Sequence, residues 1–167
     1  MVKKQSNGLN LFFGIVSGLV VGTIFMVLWN YLPLFAPMLY LIVLMQTEVI
    51  PKIGEAYGVN AEFIVGLFHF LTSIVLGILF ALIFKKTVNT LGKGMIYGAV
   101  FGFVWWVLTP FYLLPFFLVA DPSIWWSHFK LMQLLNALFS HIFFGFLLGF
   151  FYSLLKKLGK PRGSANG

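Results

Sequence analysis

Cysteine is absent, which excludes disulfides, thiolate nucleophiles and thiolate metal ligands. Charge is almost as scarce. Only 9% of the 167 residues are Asp, Glu, Lys or Arg, and just 4 of them are acidic. A soluble domain carries about 25% charged residues, so a water-soluble globule is excluded. A disordered chain needs low hydrophobicity, whereas this one is 60% hydrophobic with a mean hydropathy of +0.99. What remains is a small polytopic membrane protein.

Its apolar residues are gathered into four stretches of the length that crosses a bilayer, about 20 residues each. They run from Leu9 to Leu32, Ala61 to Phe84, Gly94 to Leu118 and about Gln133 to Leu155, and their interiors carry no Asp, Glu, Lys or Arg. The first is longer than a secretory h-region and has no small-residue cleavage site at its end, so it reads as a retained helix. Basic residues fix the orientation. Lys3, Lys4, Lys85, Lys86, Lys93, Lys156, Lys157, Lys160 and Arg162 fall at one end of these spans. Lys52, Lys130, Glu48, Glu55, Glu62 and Asp121 fall at the other. Basic loops stay cytoplasmic, so both termini are expected inside a bacterial inner membrane. The net charge of +7 then needs no nucleic-acid partner.

The outer loops are not simple turns. Met38 to Met45 is apolar but too short to span, and reads as an interfacial or re-entrant helix that ends near Pro51. Glu48 and Lys52 have the spacing of a helical ion pair. Asp121-Pro122-Ser123 is a turn and helix-start signal, and Trp125 and Trp126 suit the headgroup level, with His128 beside them. Pro110 and Pro115 should kink the outer half of the third span. Residues 161–167 read as a flexible cytoplasmic tail.

The second and fourth spans repeat one pattern at an offset of 72. His69, Ser73, Gly77, Ala81 and Lys85 match His141, Gly145, Gly149, Ser153 and Lys157. Gly14, Gly18 and Gly22 likewise mirror Gly94, Gly98 and Gly102, although Pro33 and Pro115 suggest a slightly different register. The chain therefore reads as a single four-helix domain, residues 1–160. Two duplicated hairpins, about 1–86 and 87–160, would be related by a pseudo-two-fold axis along the membrane normal. Burying Leu gives no drive for association among lipid tails, so close backbone approach replaces it. Positions i, i+4 and i+8 share one helix face, and Gly18, Gly77, Gly98 and Gly149 are expected to face other helices. Leu148 is expected to face outward.

His69 and His141 each lie 16 residues before the matching Lys, roughly 24 Å above the basic end at 1.5 Å per residue. An ionisable group within a span is a functional candidate by default. Two imidazoles at one depth would suit a b-type haem, with small residues admitting the porphyrin. A metal ion is disfavoured by the lack of carboxylates inside the spans, and a pH-sensing role is the other site-like reading. Against these stands a structural role, with two neutral rings hydrogen-bonded across the helix interface, Ser140, Thr72 and Tyr112 being candidate partners. Asn30, Gln46, Gln133 and Asn136 read as helix-end hydrogen bonders. No serine–base pair, paired carboxylate or zinc-protease motif is present, and Gly94, Gly98 and Gly102 lack the Lys-Ser/Thr of a phosphate loop, so no enzyme is expected.

A small-faced helix carrying His69, a short basic loop, and Lys93-Gly94-Met95-Ile96-Tyr97-Gly98-Ala99-Val100-Phe101-Gly102 follow one another here. An aromatic span broken by Pro110 and Pro115 comes next, and a helix with Ser140-His141-Ile142-Phe143-Phe144-Gly145 closes the series. This series resembles the YagU-like bacterial inner-membrane proteins over about residues 63–157, and the third span is similar to the YqhR-like proteins of firmicutes. The Pro33–Asn60 segment departs from the pattern. The resemblance implies an inner-membrane protein of a group linked to acid tolerance, and it brings no catalytic residue. Three functions follow: a non-enzymatic scaffold or accessory subunit packing against itself or other membrane proteins, a di-histidine haem protein, or a small transporter or channel between the repeats.

Overall fold

The computed structural model describes residues 6–31, 58, 61–109 and 131–159. Among them the chain is all-helical, with four helices long and apolar enough to cross a membrane. These are α1 (Asn7–Tyr31), α2 (Ala61–Phe84), α3 (Leu91–Leu108) and α4 (Leu131–Leu158). The re-entrant segment, the Glu48–Lys52 pair, Pro115, Trp125, Trp126, His128 and the tail lie outside the described residues.

Helix ends follow local chemistry. Thr90 caps α3, its extended backbone letting the side chain accept from the Lys93 N–H at 3.2 Å. At the other end α3 is described to Leu108, and Thr109 follows with helical angles, donating both its N–H and its hydroxyl to the Trp105 carbonyl. Pro110, Pro115 and the run to Leu118, where the kink is expected, lie outside the described residues. α4 ends on Lys156 and Lys157, cations at the negative end of the helix dipole.

The helices pair as α1 with α2 and α3 with α4, and glycine makes each pair close. A Cβ added at Gly14 would meet the Gly77 carbonyl oxygen at 2.5 Å and the Ala81 methyl at 2.8 Å. One at Gly18 would strike the Ser73 carbonyl, and one at Gly77 the Gly14 carbonyl. In the second pair Gly94 lies on Gly149 and Ser153, Gly98 on Gly145, and Gly102 on the His141 carbonyl. At such separations the Cα–H groups lie against carbonyl oxygens, a weak contact that recurs at helix–helix interfaces. Gly18, Gly77, Gly98 and Gly149 thus face other helices.

Between the pairs the filling changes from hydrogen atoms to rings. Phe80 of α2 is fully buried and meets the fully buried Tyr152 of α4 edge-on, centroids 5.5 Å apart. It also meets Phe101 of α3 at 5.6 Å, while Phe84 stacks on Tyr97 at 5.3 Å. Phe25 of α1 sits between Phe143 and Phe144 of α4. Such pairs add about 0.5–1.5 kcal/mol each beyond their area burial. α1 packs along α4, whereas α2 and α3 approach only marginally, with rings spanning the wider gap.

That arrangement overturns the outward placement of Leu148, which is fully buried. α4 touches α3 through its glycines and α1 through the adjacent face. A helix with two partners buries more than one stripe, and 148 lies 100° from 149 on the wheel. The exposed faces carry the large apolar side chains instead, among them Phe68, Leu71 and Val75 on α2 and Ile96, Val100 and Val104 on α3.

Candidate functional site

Both intramembrane-type histidines sit where the glycine contacts place them. Gly22 lies beside His69 on the α1–α2 seam, and Gly102 lies on the backbone of His141 on the α3–α4 seam. Their rings do different things. The Nε2 of His69 reaches across to the Gly22 carbonyl oxygen at 3.0 Å. The Nδ1 of His141 turns back to the Ala137 carbonyl of its own helix at 2.7 Å. Neither bond is to the other histidine, and none of Ser140, Thr72 or Tyr112 is the partner in them.

The difference has a steric cause. Four residues along from His69 stands Ser73, whose side chain props Gly22 away: a Cβ at Gly22 would lie 2.8 Å from the Ser73 hydroxyl. The equivalent of Ser73 is Gly145, and there the backbones close until Gly102 rests on the His141 carbonyl. The wider seam admits an imidazole and the tighter one does not. A ring that bonds a backbone carbonyl through one nitrogen donates that N–H, which fixes its tautomer.

Several hydroxyls along the helices bond within their own helix. Ser17 donates to the Phe13 carbonyl at 2.6 Å, Thr23 to Leu19 at 2.9 Å and Ser153 to Phe150 at 2.9 Å. These back-bonds let hydroxyls sit in an apolar helix without a partner from another one.

The basic end holds a network that sequence reasoning missed. The Tyr152 hydroxyl donates to Asn10 Oδ1 at 3.2 Å, and Asn10 Nδ2 donates to the Ser6 carbonyl at 3.1 Å. Lys85 Nζ donates to Asn7 Oδ1 at 3.2 Å. Lys156 Nζ donates to the carbonyls of Lys85 and Val88, the latter at 2.7 Å, and sits 5.9 Å from the centroid of the Tyr152 ring. A helix end leaves its last carbonyls without N–H partners. The ammonium of Lys156 caps the carbonyl just past the end of α2 and one in the connection behind it, from a helix more than 65 residues further along the chain, as the separations of 71 and 68 show. One signal was available: at the offset of 72, Lys156 stands where the first copy has Phe84, and Tyr152 stands at Phe80.

Among the described residues no three His, Asp or Glu side chains stand together as a metal site. No protein-family model, no curated protein and no solved structure matches this chain.

Proposed function

We propose that the protein is a non-enzymatic scaffold or accessory subunit of a bacterial inner membrane, acting through helix packing against partner membrane proteins or further copies of itself. One observation carries this reading. The small-residue faces are consumed inside the bundle, and the space between helix pairs is filled by Phe80, Tyr152, Phe25, Phe143 and Phe144. Among the described residues, the outward apolar surface is left to face a packing partner in the membrane. A photo-reactive side chain at Leu71 or Val100, both about half exposed, should give discrete protein adducts in native membranes. Adducts to lipid alone at every outward position would refute a packing role.

The bundle is proposed to be two copies of one hairpin about an axis along the membrane normal. Phe80 and Tyr152, 72 residues apart, touch each other, as residues on such an axis do. The helix partners of Gly14, Gly18 and Gly94, Gly98 also keep the offset of 72, with the glycines themselves offset by 80. The copies differ in that α1 runs along α4 while α3 does not run along α2. Nine basic residues at one end support cytoplasmic termini, and a periplasmic signal from a reporter at either terminus would reverse that.

A haem between the histidines is the weaker alternative. Ligation through His69 Nε2 would require that nitrogen to give up the Gly22 carbonyl. A Soret band abolished by His69→Ala or His141→Ala would restore it. A transport path between the repeats would have to displace the ring contacts named above.

A further inference from the structure

The basic end also carries a small cleft. It measures about 60 Å³ and is lined by Val88, Asn89, Ser153, Lys156 and Lys157. Val88 is fully buried and forms an apolar floor, while Asn89 and Lys157 stand exposed at the rim. Ser153 already donates its proton to the Phe150 carbonyl, so it turns only a hydroxyl oxygen to the cleft. The wall is a fixed charge: Lys156 Nζ is held by the carbonyls of Lys85 and Val88 and cannot swing away as a surface lysine does. A cation already tethered loses little rotamer entropy when an anion arrives.

The composition of this end says which sign of ligand it takes. The sequence has no Asp or Glu from Phe63 to Ala120 or from Pro122 to Gly167, and Lys85, Lys86, Lys93, Lys156 and Lys157 all fall in those stretches. The neighbouring start of α3 adds to the same field, because helix N-termini favour anions. Around Gly92 there is open space within 4 Å. The volume suits a group of a few heavy atoms, with room for a phosphoryl group and none for a nucleoside.

We propose that this cleft binds a phosphate anion, supplied by the headgroup of an anionic phospholipid, through Lys157, Asn89 and the tethered ammonium of Lys156. The lipid source rests on the bilayer reading of the four helices. The cleft lies at the ends of α2 and α4, the level at which headgroups meet a spanning bundle, and cationic pockets between helix ends recruit such lipids.

The test uses the full chain in nanodiscs of phosphatidylcholine, with and without phosphatidylglycerol, and counts retained lipid by native mass spectrometry. Wild type should retain phosphatidylglycerol in preference to phosphatidylcholine. Lys157→Gln combined with Asn89→Ala should weaken retention about five- to tenfold, on the order of one or two lost charge-assisted contacts. Both positions are exposed, so the fold is spared. Lys86→Gln, exposed at the same end but outside the cleft, should weaken it less than about twofold. A second arm adds inorganic phosphate to protein in phosphatidylcholine alone. If phosphate raises the melting temperature of wild type but not of the double variant, with no preference for phosphatidylglycerol, the site stands and its anion comes from solution. No response to either anion overturns the proposal. So does an equal loss in Lys86→Gln, which would reduce the effect to diffuse surface charge.

Discussion

Adding a single methyl group at Gly98 should do more damage than any comparable change on an exposed face. The Gly98 position opposes the Gly145 carbonyl, and its added Cβ would also lie 3.0 Å from Gly149 Cα. Backbone cannot rotate out of the way, so α3 and α4 must separate by more than about 1 Å to restore ordinary contact. A gap of that size forfeits about half or more of the dispersion well for the atom pairs nearest the site. Overfilled sites typically lose about 1–3 kcal/mol. Ala gains up to about 1 kcal/mol over Gly in helix propensity, so the net loss for Gly98→Ala should be about 1–2 kcal/mol. Gly92→Ala is the matched control, since its Cβ would meet nothing within 4 Å. It should be neutral or stabilising. Gly22→Ala should be intermediate, because its neighbour is the Ser73 side chain. Equilibrium unfolding in mixed micelles reads these differences. Gly98→Ala as stable as Gly92→Ala would show that the α3–α4 seam is not held by close backbone approach.

Tyr152→Phe removes a buried hydrogen bond to Asn10 and should lower stability by about 0.5–1.5 kcal/mol in the same unfolding assay. Lys156→Met keeps the aliphatic stem against Tyr152 but uncaps the Lys85 and Val88 carbonyls. A loss of about 1.5–3 kcal/mol is expected, with faster amide exchange at the start of the 85–90 connection. His69→Leu breaks a bond between two helices and His141→Leu a bond within one. Disulfide trapping across each seam should therefore report loosening of α1–α2 in the first and little change in α3–α4 in the second, the inter-helix bond being worth about 0.6–1.7 kcal/mol.

The four apolar helices were legible because length and hydropathy alone define them, and the glycine faces because i, i+4 spacing selects one side of a helix. The start of α3 was missed by a turn, since hydropathy opened that span at Gly94 while the Thr90 cap starts the helix at Leu91. The kink read at Pro110 falls on residues outside those described. Leu148 was misread because periodicity finds one face, and α4 has two. The different bonds of His69 and His141 go with Ser73 in one seam where the other has Gly145, a difference of a few atoms that periodicity does not weigh. Lys156 was counted as one more cytoplasmic charge, since nothing local marks a lysine whose carbonyl partners lie 68 and 71 residues away.

That long-range cap bears on how the chain is assembled during synthesis. α1 and α2 need only each other to close their glycine seam, so the first hairpin can form while the rest is still being made. The connection that follows is then incomplete: the carbonyls of Lys85 and Val88 wait for an ammonium that belongs to the last turn of α4. Until that turn emerges, water or lipid headgroups must serve those oxygens, and the Tyr152 hydroxyl has yet to reach Asn10. The final residues of the bundle therefore act as its closing stitch, fastening the newest helix to the oldest pair. A nascent chain halted before residue 152 would hold the first seam intact, with its basic end still open.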